Sequence, residues 1–400
     1  MKINQKSGVV DIWNIPKLRL HLEPSFCLDM IKELRYFGNY PEIAKWIDKP
    51  LDKKGSAYTL INFKIRKSGP IQLVYKIGKF LSEKGLKKFH PRNIEKNIMG
   101  ISVYGMIKST VRKPKIPFDF TTEPGCILIS ALLHDGGINN AFVPYYWNTD
   151  IGLRKRVFEA AQNIFGILPS EFNPSSEDLR FPRVCGLVLA YGLGLKTGNK
   201  IFTNPHIPEF IFYLEPEKIS AFLRQAFDDE GTVSTSNHSI RFSLSIRGKD
   251  NPPELLIHIR KLLYLLGLNF TKPILTRKYT ARKDGIMRSS WGIVLTSRED
   301  LKIFKEKINF SIGEKREKLN KALSDVKERH FKWKTVEKHV LNVMNDLESK
   351  YGYFTRDMVA KEVCRTWSRM QQIFPKLLKE ERIKEISKYS GTKAAKFRLL

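Results

Sequence analysis

The chain has 400 residues, with 70 Lys and Arg against 41 Asp and Glu, a formal net charge of +29 and a pI near 9.8. This length exceeds what one hydrophobic core usually organises, so two or three domains are expected, and so large a basic excess points to a polyanionic partner. No apolar run is long enough to span a bilayer and Met1-Lys2-Ile3-Asn4 opens no signal-peptide core, so the expected partner is nucleic acid, not a membrane, and the expected location is cytoplasmic.

The first region, taken as 1–118, is the most basic: residues 1–120 hold 24 basic and 10 acidic side chains. Apolar residues recur at helical spacing over 26–47 (Phe26, Leu28, Ile31, Leu34, then Ile43, Ala44, Trp46, Ile47) and over 70–87 (Ile71, Leu73, Val74, Ile77, Phe80, Leu81). The break Phe37-Gly38-Asn39-Tyr40-Pro41 divides the first stretch, and such text fits a helix-turn-helix or a plain helical hairpin. Val111-Arg112-Lys113-Pro114-Lys115-Ile116-Pro117 marks the passage to a more apolar middle.

Two segments of that middle read alike. Leu128-Ile129-Ser130-Ala131-Leu132-Leu133-His134-Asp135-Gly136 and Leu223-Arg224-Gln225-Ala226-Phe227-Asp228-Asp229-Glu230-Gly231 are apolar helices ending in an acid and a glycine. Glycine is common just past a helix C-terminus. An acid in the last turn is different: it faces unpaired carbonyls and the negative end of the macrodipole, a cost of some tenths of a kcal/mol that a bound cation would reverse. Asp135 and Glu230 lie 95 residues apart, which divides the middle into halves of 119–215 and 216–325.

The text after each motif is parallel. In the second half, Arg241-Phe242-Ser243-Leu244-Ser245-Ile246-Arg247 alternates strictly, which predicts a half-buried strand with Phe242, Leu244 and Ile246 inward and a polar, cationic outer face. A helix (Leu255 to Leu266), strands around 272–280 and 289–297, and a helix at 298–309 complete the order αββαββα. The first half follows it more loosely: strands within 138–149, a helix at 153–165, weaker strand text and a helix at 185–194.

A charged stretch at 312–335 leads to a last unit, 334–400, carrying 15 basic and 8 acidic residues. A helix near 336–349 precedes Thr355, a natural N-cap for a helix at 356–364. A third helix, about 366–380, and two strands with Ser390-Gly391-Thr392 at their tip follow. That order resembles a winged helix, with Arg365, Ser368, Arg369 and Gln372 on the helix that would enter the major groove; a small packing module is the alternative. The cysteines Cys27, Cys126, Cys185 and Cys364 form no CxxC pair, so they read as reduced, mostly buried thiols.

The motif pair, the strand text after it, and the bridge Gly198-Asn199-Lys200 with Ile207-Pro208-Glu209-Phe210-Ile211 together resemble the LAGLIDADG homing endonuclease family over about residues 120–325. The resemblance implies an α+β fold: a pseudo-twofold pair of αββαββα saddles, here flanked by the helical, helix-turn-helix-like region and the winged-helix-like unit. It further implies a monomer that binds double-stranded DNA. By the same resemblance Asp135 and Glu230 hold Mg²⁺ for phosphodiester cleavage, Lys249 (or, second, Arg247) orders the attacking water, and the strand faces contact DNA through Arg241, Ser243, Ser245, Arg247, Arg277, Arg282 and Arg288. Asp228 takes a structural place near the neighbouring motif helix, and Asp229 is expected to face solvent.

Several positions depart from the family pattern. Tyr145-Tyr146-Trp147-Asn148-Thr149-Asp150 supplies no lysine to the first half, and Gln225 stands where a small residue would let the motif helices approach closely. His134 reads as a cap residue, with a ligand or general base as the sharper alternative. A transcription regulator that keeps the saddle without cutting, and an RNA maturase, are the competing functions. The chain neither starts with Cys or Ser nor ends in His-Asn, so a free-standing protein is expected.

Overall fold

The computed structural model describes all residues except 1–6, 47–55, 104–105, 169–171, 249, 283, 325–335, 364–366 and 388–393, and, inside elements, the side chains of 44, 46, 56–59, 106–109, 336 and 367–369. The chain forms two compact units: Met1–Glu230 with Ser243–Leu266 and Pro273–Gly292, and Gly231–Phe242 with Gly267–Lys272 and Ile293–Leu400.

The first unit begins with β1 (Val9–Val10), β2 (Leu18–Leu22), α1 (Pro24–Arg35), α2 (Tyr40–Trp46), α3 (Ser56–Arg66), β3 (Ser68–Pro70), α4 (Ile71–Glu83), α5 (Pro91–Ile94), β4 (Ile98–Val103), β5 (Met106–Arg112) and β6 (Phe118–Asp119). The helices stand where apolar spacing put them: α1 opens with Glu23 as N-cap and Pro24 in its first turn, and α4 buries Ile71, Leu73, Val74, Ile77 and Leu81 along one stripe. The expectation of a helical 1–118 region is corrected by a four-stranded antiparallel sheet, ordered β3-β2-β4-β5. β2 does alternate, with Leu18, Leu20 and Leu22 inward, but over only five residues. β4 is buried at every position but Met99 and so carries no alternation to read.

Next come α6 (Glu123–Leu133), β7 (Gly136–Ile138), β8 (Pro144–Trp147), α7 (Ile151–Phe165), β9 (Asp178–Arg180), α8 (Arg183–Leu187), which runs on as a π-turn over Val188–Gly192, α9 (Lys200–Thr203) and α10 (Pro216–Glu230). Thr122 caps α6 by accepting from the Gly125 N–H, and Asp150 caps α7 by accepting from Leu153 N–H. α6 is buried almost all round, as its uniformly apolar text requires, and packs against both α10 and α7. The Ser130 hydroxyl donates to the Phe222 carbonyl across the two motif helices at 2.7 Å.

This half holds three antiparallel strands, ordered β7-β8-β9, among the described residues, where a fourth was expected. Asn173-Pro174-Ser175-Ser176 turns instead: the Asn173 side chain accepts from Ser175 N–H, and Pro174 has no N–H for a ladder. The buried Arg154 guanidinium of α7 fastens the turn, donating to the carbonyls of Ser176 (2.7 Å) and Pro174 (3.1 Å).

The second motif half runs β10 (Gly231–Ser234), β11 (Ser239–Arg247), α11 (Glu254–Leu265), β12 (Ile274–Thr280), β13 (Met287–Leu295) and α12 (Arg298–Lys307), with sheet order β10-β11-β13-β12. Phe242 and Ile246 on β11, and Trp291, Ile293 and Leu295 on β13, face inward as the alternation required.

In the second unit α13 (Gly313–Ser324) follows, then α14 (Val336–Tyr351), α15 (Arg356–Glu362), α16 (Trp367–Lys379) and the hairpin β14 (Ile383–Ser387) with β15 (Lys396–Leu399). These last elements enclose a core of their own, with Val340, Met344, Phe354, Val359, Met370, Phe374, Leu377 and Phe397 at its centre. Thr355 caps α15 by accepting from Met358 N–H, and Phe354 pairs with Phe397 as a one-residue third strand. Cys27, Cys126 and Cys185 are buried thiols; burial pushes Cys27 up to about 11 and Cys126 to about 12. Among the described residues no helix is long and apolar enough to cross a membrane.

Candidate functional site

Both motif acids stand at the ends of their helices. α6 stops at Leu133, His134 is its C-cap, and Asp135 occupies the single residue before β7; Glu230 is the last residue of α10. The glycines that follow do not act as left-handed caps, since neither Gly136 nor Gly231 has positive φ. At Gly136 the requirement is space: a Cβ there would lie 2.5 Å from the Tyr145 carbonyl oxygen and 2.9 Å from that of Ala131.

Around these acids the chain builds a polar cluster. Asn148 Nδ2 donates to Asp135 Oδ2 at 3.0 Å, and Asn148 is itself held by its N–H to the Glu177 carbonyl and by its Oδ1, which accepts from Asp150 N–H. The Tyr146 hydroxyl, carried inward on β8, donates to Asp229 Oδ1 at 2.8 Å. Gln225, one turn earlier on α10, donates its Nε2 to Asp229 Oδ1 and Oδ2 at 3.0 and 3.1 Å. Its Oε1 accepts from Arg156 of α7, whose guanidinium also pairs with the fully buried Asp228 carboxylate at 2.8 Å.

At the centre is Lys200. Asn199 caps the short helix α9 by accepting from Ile201 N–H, and Gly198, at φ +94°, donates its N–H to the Ile138 carbonyl at 2.7 Å. The turn thereby drives Lys200 inward, where its Nζ donates to the Leu133 carbonyl at 3.2 Å. Burial lowers the pKa of Lys200, and the charges of Glu230, Asp135 and Asp229, in that order, oppose the shift. Burial likewise holds Asp229 well above the usual carboxylate range, with the nearby Asp135 charge adding to it; the bonds from Gln225 and Tyr146 only partly offset both. Burial first, and then the Asp229 charge, push the Tyr146 phenol upward.

Several expectations change here. Asp229 does not face solvent: its carboxylate accepts from Gln225 and, across 83 residues, from the Tyr146 hydroxyl. Gln225, suspected of holding the motif helices apart, is fully buried and spends both ends of its amide on Arg156, Asp229 and Tyr146. Asp228 is engaged by α7 through Arg156. His134 is a buried neutral cap: its Nδ1 pairs with the Ser130 carbonyl at 2.7 Å, which requires the proton on that nitrogen, and burial followed by the Lys200 charge lowers its pKa to about 3. So weak a base cannot deprotonate water near neutral pH.

Of the remaining candidates, Lys249 and Arg365 lie outside the described residues, as does the side chain of Arg369. Arg247, at the end of β11, stacks its guanidinium on Phe202 of α9 at 5.2 Å, two residues from Lys200. Arg241, Ser243, Ser245 and Arg247 alternate onto the outward face of β11. The Ser245 hydroxyl lies 3.4 Å from that of Tyr279, which is directly opposite Arg288, while Arg277, two residues before Tyr279, stacks on its ring at 5.1 Å. Ser245, Arg247, Arg277 and Arg288 therefore share one sheet face. Arg288 is paired with Asp284, and Arg282 is an exposed loop residue rather than part of a strand. Lys200, Tyr146 and Asn148 carry no signal in the sequence that marks them as site residues, although the Gly198-Asn199-Lys200 turn belongs to the bridge that resembles the family's.

Residues 217–309, from α10 to the end of α12, match the family model of a LAGLIDADG-like domain. A DNA polymerase from Thermococcus hydrothermalis is 33% identical over 123 residues, which is 30% of this chain and 7% of the polymerase, so the chain spans a small fraction of that relative. Among solved structures, full-length DUF199/WhiA from Thermatoga maritima aligns over 66% of this chain and 93% of its own, at 11% identity and a TM-score of 0.31.

Proposed function

We propose that this chain binds double-stranded DNA across the outward faces of its motif sheets and cuts it with Mg²⁺ held by Asp135 and Glu230. The observation that carries the reading is that two acids, one from each motif, stand at the ends of helices that pack on one another, and that the charges of both act on the partly buried Lys200. An acid at a helix C-terminus faces the negative end of the macrodipole, and two such acids brought to one lysine are a costly arrangement that a bound cation would relieve.

The donors suit such an ion. Asp135 and Glu230 are both partly exposed carboxylates, and Mg²⁺ usually takes one or two carboxylates and completes its shell with water and phosphate. The chemistry supplied by Mg²⁺ when bound is Lewis-acid activation of water and neutralisation of charge on the leaving oxygen.

The protein's own side chains do the rest. Asn148 orients Asp135, and Tyr146 with Gln225 fixes Asp229, so that the end of α10 holds Glu230 in place. Lys200 supplies a fixed positive charge beneath a scissile phosphate, with Lys249 proposed for the same work in the second half. Arg241, Ser243, Ser245, Arg247, Arg277, Arg282 and Arg288 would contact bases and phosphates. The helices and hairpin at 336–399 would serve as a winged-helix-like unit, from which Arg365 and Arg369 would extend the DNA contact.

One observation favours a second reading, a DNA-binding regulator without cleavage: Lys200 already provides an internal counter-charge to the acids. Incubation with a randomised duplex library, with Mg²⁺ or with EDTA, followed by sequencing of bound and cut molecules, separates the two. Cleavage only with Mg²⁺, lost in Asp135→Asn and Glu230→Gln while binding persists, supports the nuclease. Duplex bound but intact in Mg²⁺ selects the regulator, and no duplex bound at all refutes both.

A further inference from the structure

The two motif sheets turn chemically different faces outward. In the first, Tyr145 and Trp147 of β8 share a face with Gly137, Arg180 and Asp178, because the register pairs Tyr145 with both Gly137 and Arg180 and Trp147 with Asp178. Gly137 contributes no side chain, and the Tyr145 ring lies across it: a Cβ at Gly137 would come within 2.8 Å of the Tyr145 hydroxyl. Arg180 forms a 2.7 Å ion pair with Asp178, so the polar part of this face carries no net charge. Trp147 is 51% exposed at the end of the strand, next to the Asn148 that orients Asp135.

In the second sheet the corresponding face presents Ser243, Ser245, Arg247, Arg277 and Arg288. Arg247 and Arg277 are exposed guanidiniums braced on aromatic rings, a setting that leaves their donor forks available for bidentate bonding. In the major groove such forks match guanine O6 and N7, whereas an uncharged aromatic surface has one apolar partner there, the 5-methyl group of thymine.

We propose that the first sheet, through the exposed Trp147 with Tyr145 laid over Gly137 beside it, reads a thymine methyl group, while the second reads guanine through its arginines, so that the target is asymmetric, T-bearing in one half and G-bearing in the other. This rests on the DNA-binding reading above and adds to it what each half of the target contains. Asp178 strengthens the assignment, since it engages the Nε of Arg180, the guanidinium on this face, and its own carboxylate is the wrong partner for guanine's acceptors.

The test uses the full chain with EDTA present, so that binding is measured apart from cleavage. Bound duplexes are selected from a randomised library and the recovered site is resynthesised with single thymines replaced by deoxyuridine, which removes one methyl and nothing else. Each replacement in one half-site should weaken binding about fourfold, as expected for losing one buried methyl, with no effect in the other half. Trp147→Ala should abolish that discrimination and Trp147→Phe should retain it, while Arg277→Ala should relax guanine preference only in the opposite half. Insensitivity to deoxyuridine, equal sensitivity in both halves, or methyl discrimination surviving in Trp147→Ala overturns the proposal while leaving DNA binding intact. If the library returns no bound duplex, the DNA-binding reading itself fails, and this inference with it.

Discussion

His134 makes the energetics of the site measurable. Its imidazole is buried and neutral with a pKa of about 3, against 6.5 for the ordinary side chain. The folded value is the lower one, so its contribution to stability is complete above about pH 6.5 and is lost as the pH falls towards 3, where the unfolded chain takes up a proton that the native state refuses. For those two values the loss between pH 7.5 and pH 5 is about 2 kcal/mol. The perturbation is His134→Leu, which keeps apolar contact with Phe222 and removes the titrating group. At pH 7.5 the variant should be less stable by about 1 kcal/mol for the lost bond to the Ser130 carbonyl. Urea unfolding at both pH values, in EDTA, gives the difference between wild type and variant while all other titrations cancel. The gap should close or change sign at pH 5. A gap that is the same at both pH values would mean that His134 takes up its proton in the folded state, and the reading of the site as sealed around it would fall.

Other positions give independent checks. Lys200→Met removes the positive charge that opposes the burial of Asp229 and should destabilise the fold near neutral pH, recovering as the pH is lowered because Asp229, already held above the usual carboxylate range, takes up a proton; thermal melting from pH 5 to 8 reads both the loss and its slope. Gly136→Ala places a methyl against the Tyr145 carbonyl and should cost about 1–3 kcal/mol, visible as a lower urea midpoint with unchanged m-value. Arg154→Met removes two bonds that hold the 174–176 turn, so limited chymotrypsin digestion should cut near Phe172 faster than in wild type, with the rest of the digest unaltered. Thr355→Ala removes the cap of α15 and should destabilise the C-terminal helices by about 1 kcal/mol, and hydrogen exchange in the first turn of that helix reports it.

How much of this was legible in the sequence depended on the range of the interactions. The outward face of β11 could be read because alternation is a property of one strand, and Thr355 could be named because a cap and its acceptor are three residues apart. The four-stranded sheet of the N-terminal region left little trace, since its strands are short or buried on both faces and their partners lie far off in the chain. In the first motif half the strand text is weak, and the structure has turns held by Arg154 there.

The site divides in the same way. Asp135 and Glu230 stand out from sequence alone because an acid at a helix C-terminus is a local anomaly that charge and dipole make recognisable. That Lys200 lies among them, that Asp229 is pinned by Tyr146 across 83 residues, and that Gln225 joins α7 to α10 were decided only by packing. A hydrogen bond or ion pair between distant segments has no signature in the neighbourhood of either partner. Its strength comes from desolvation, which exists only once the surrounding helices and strands have closed over it.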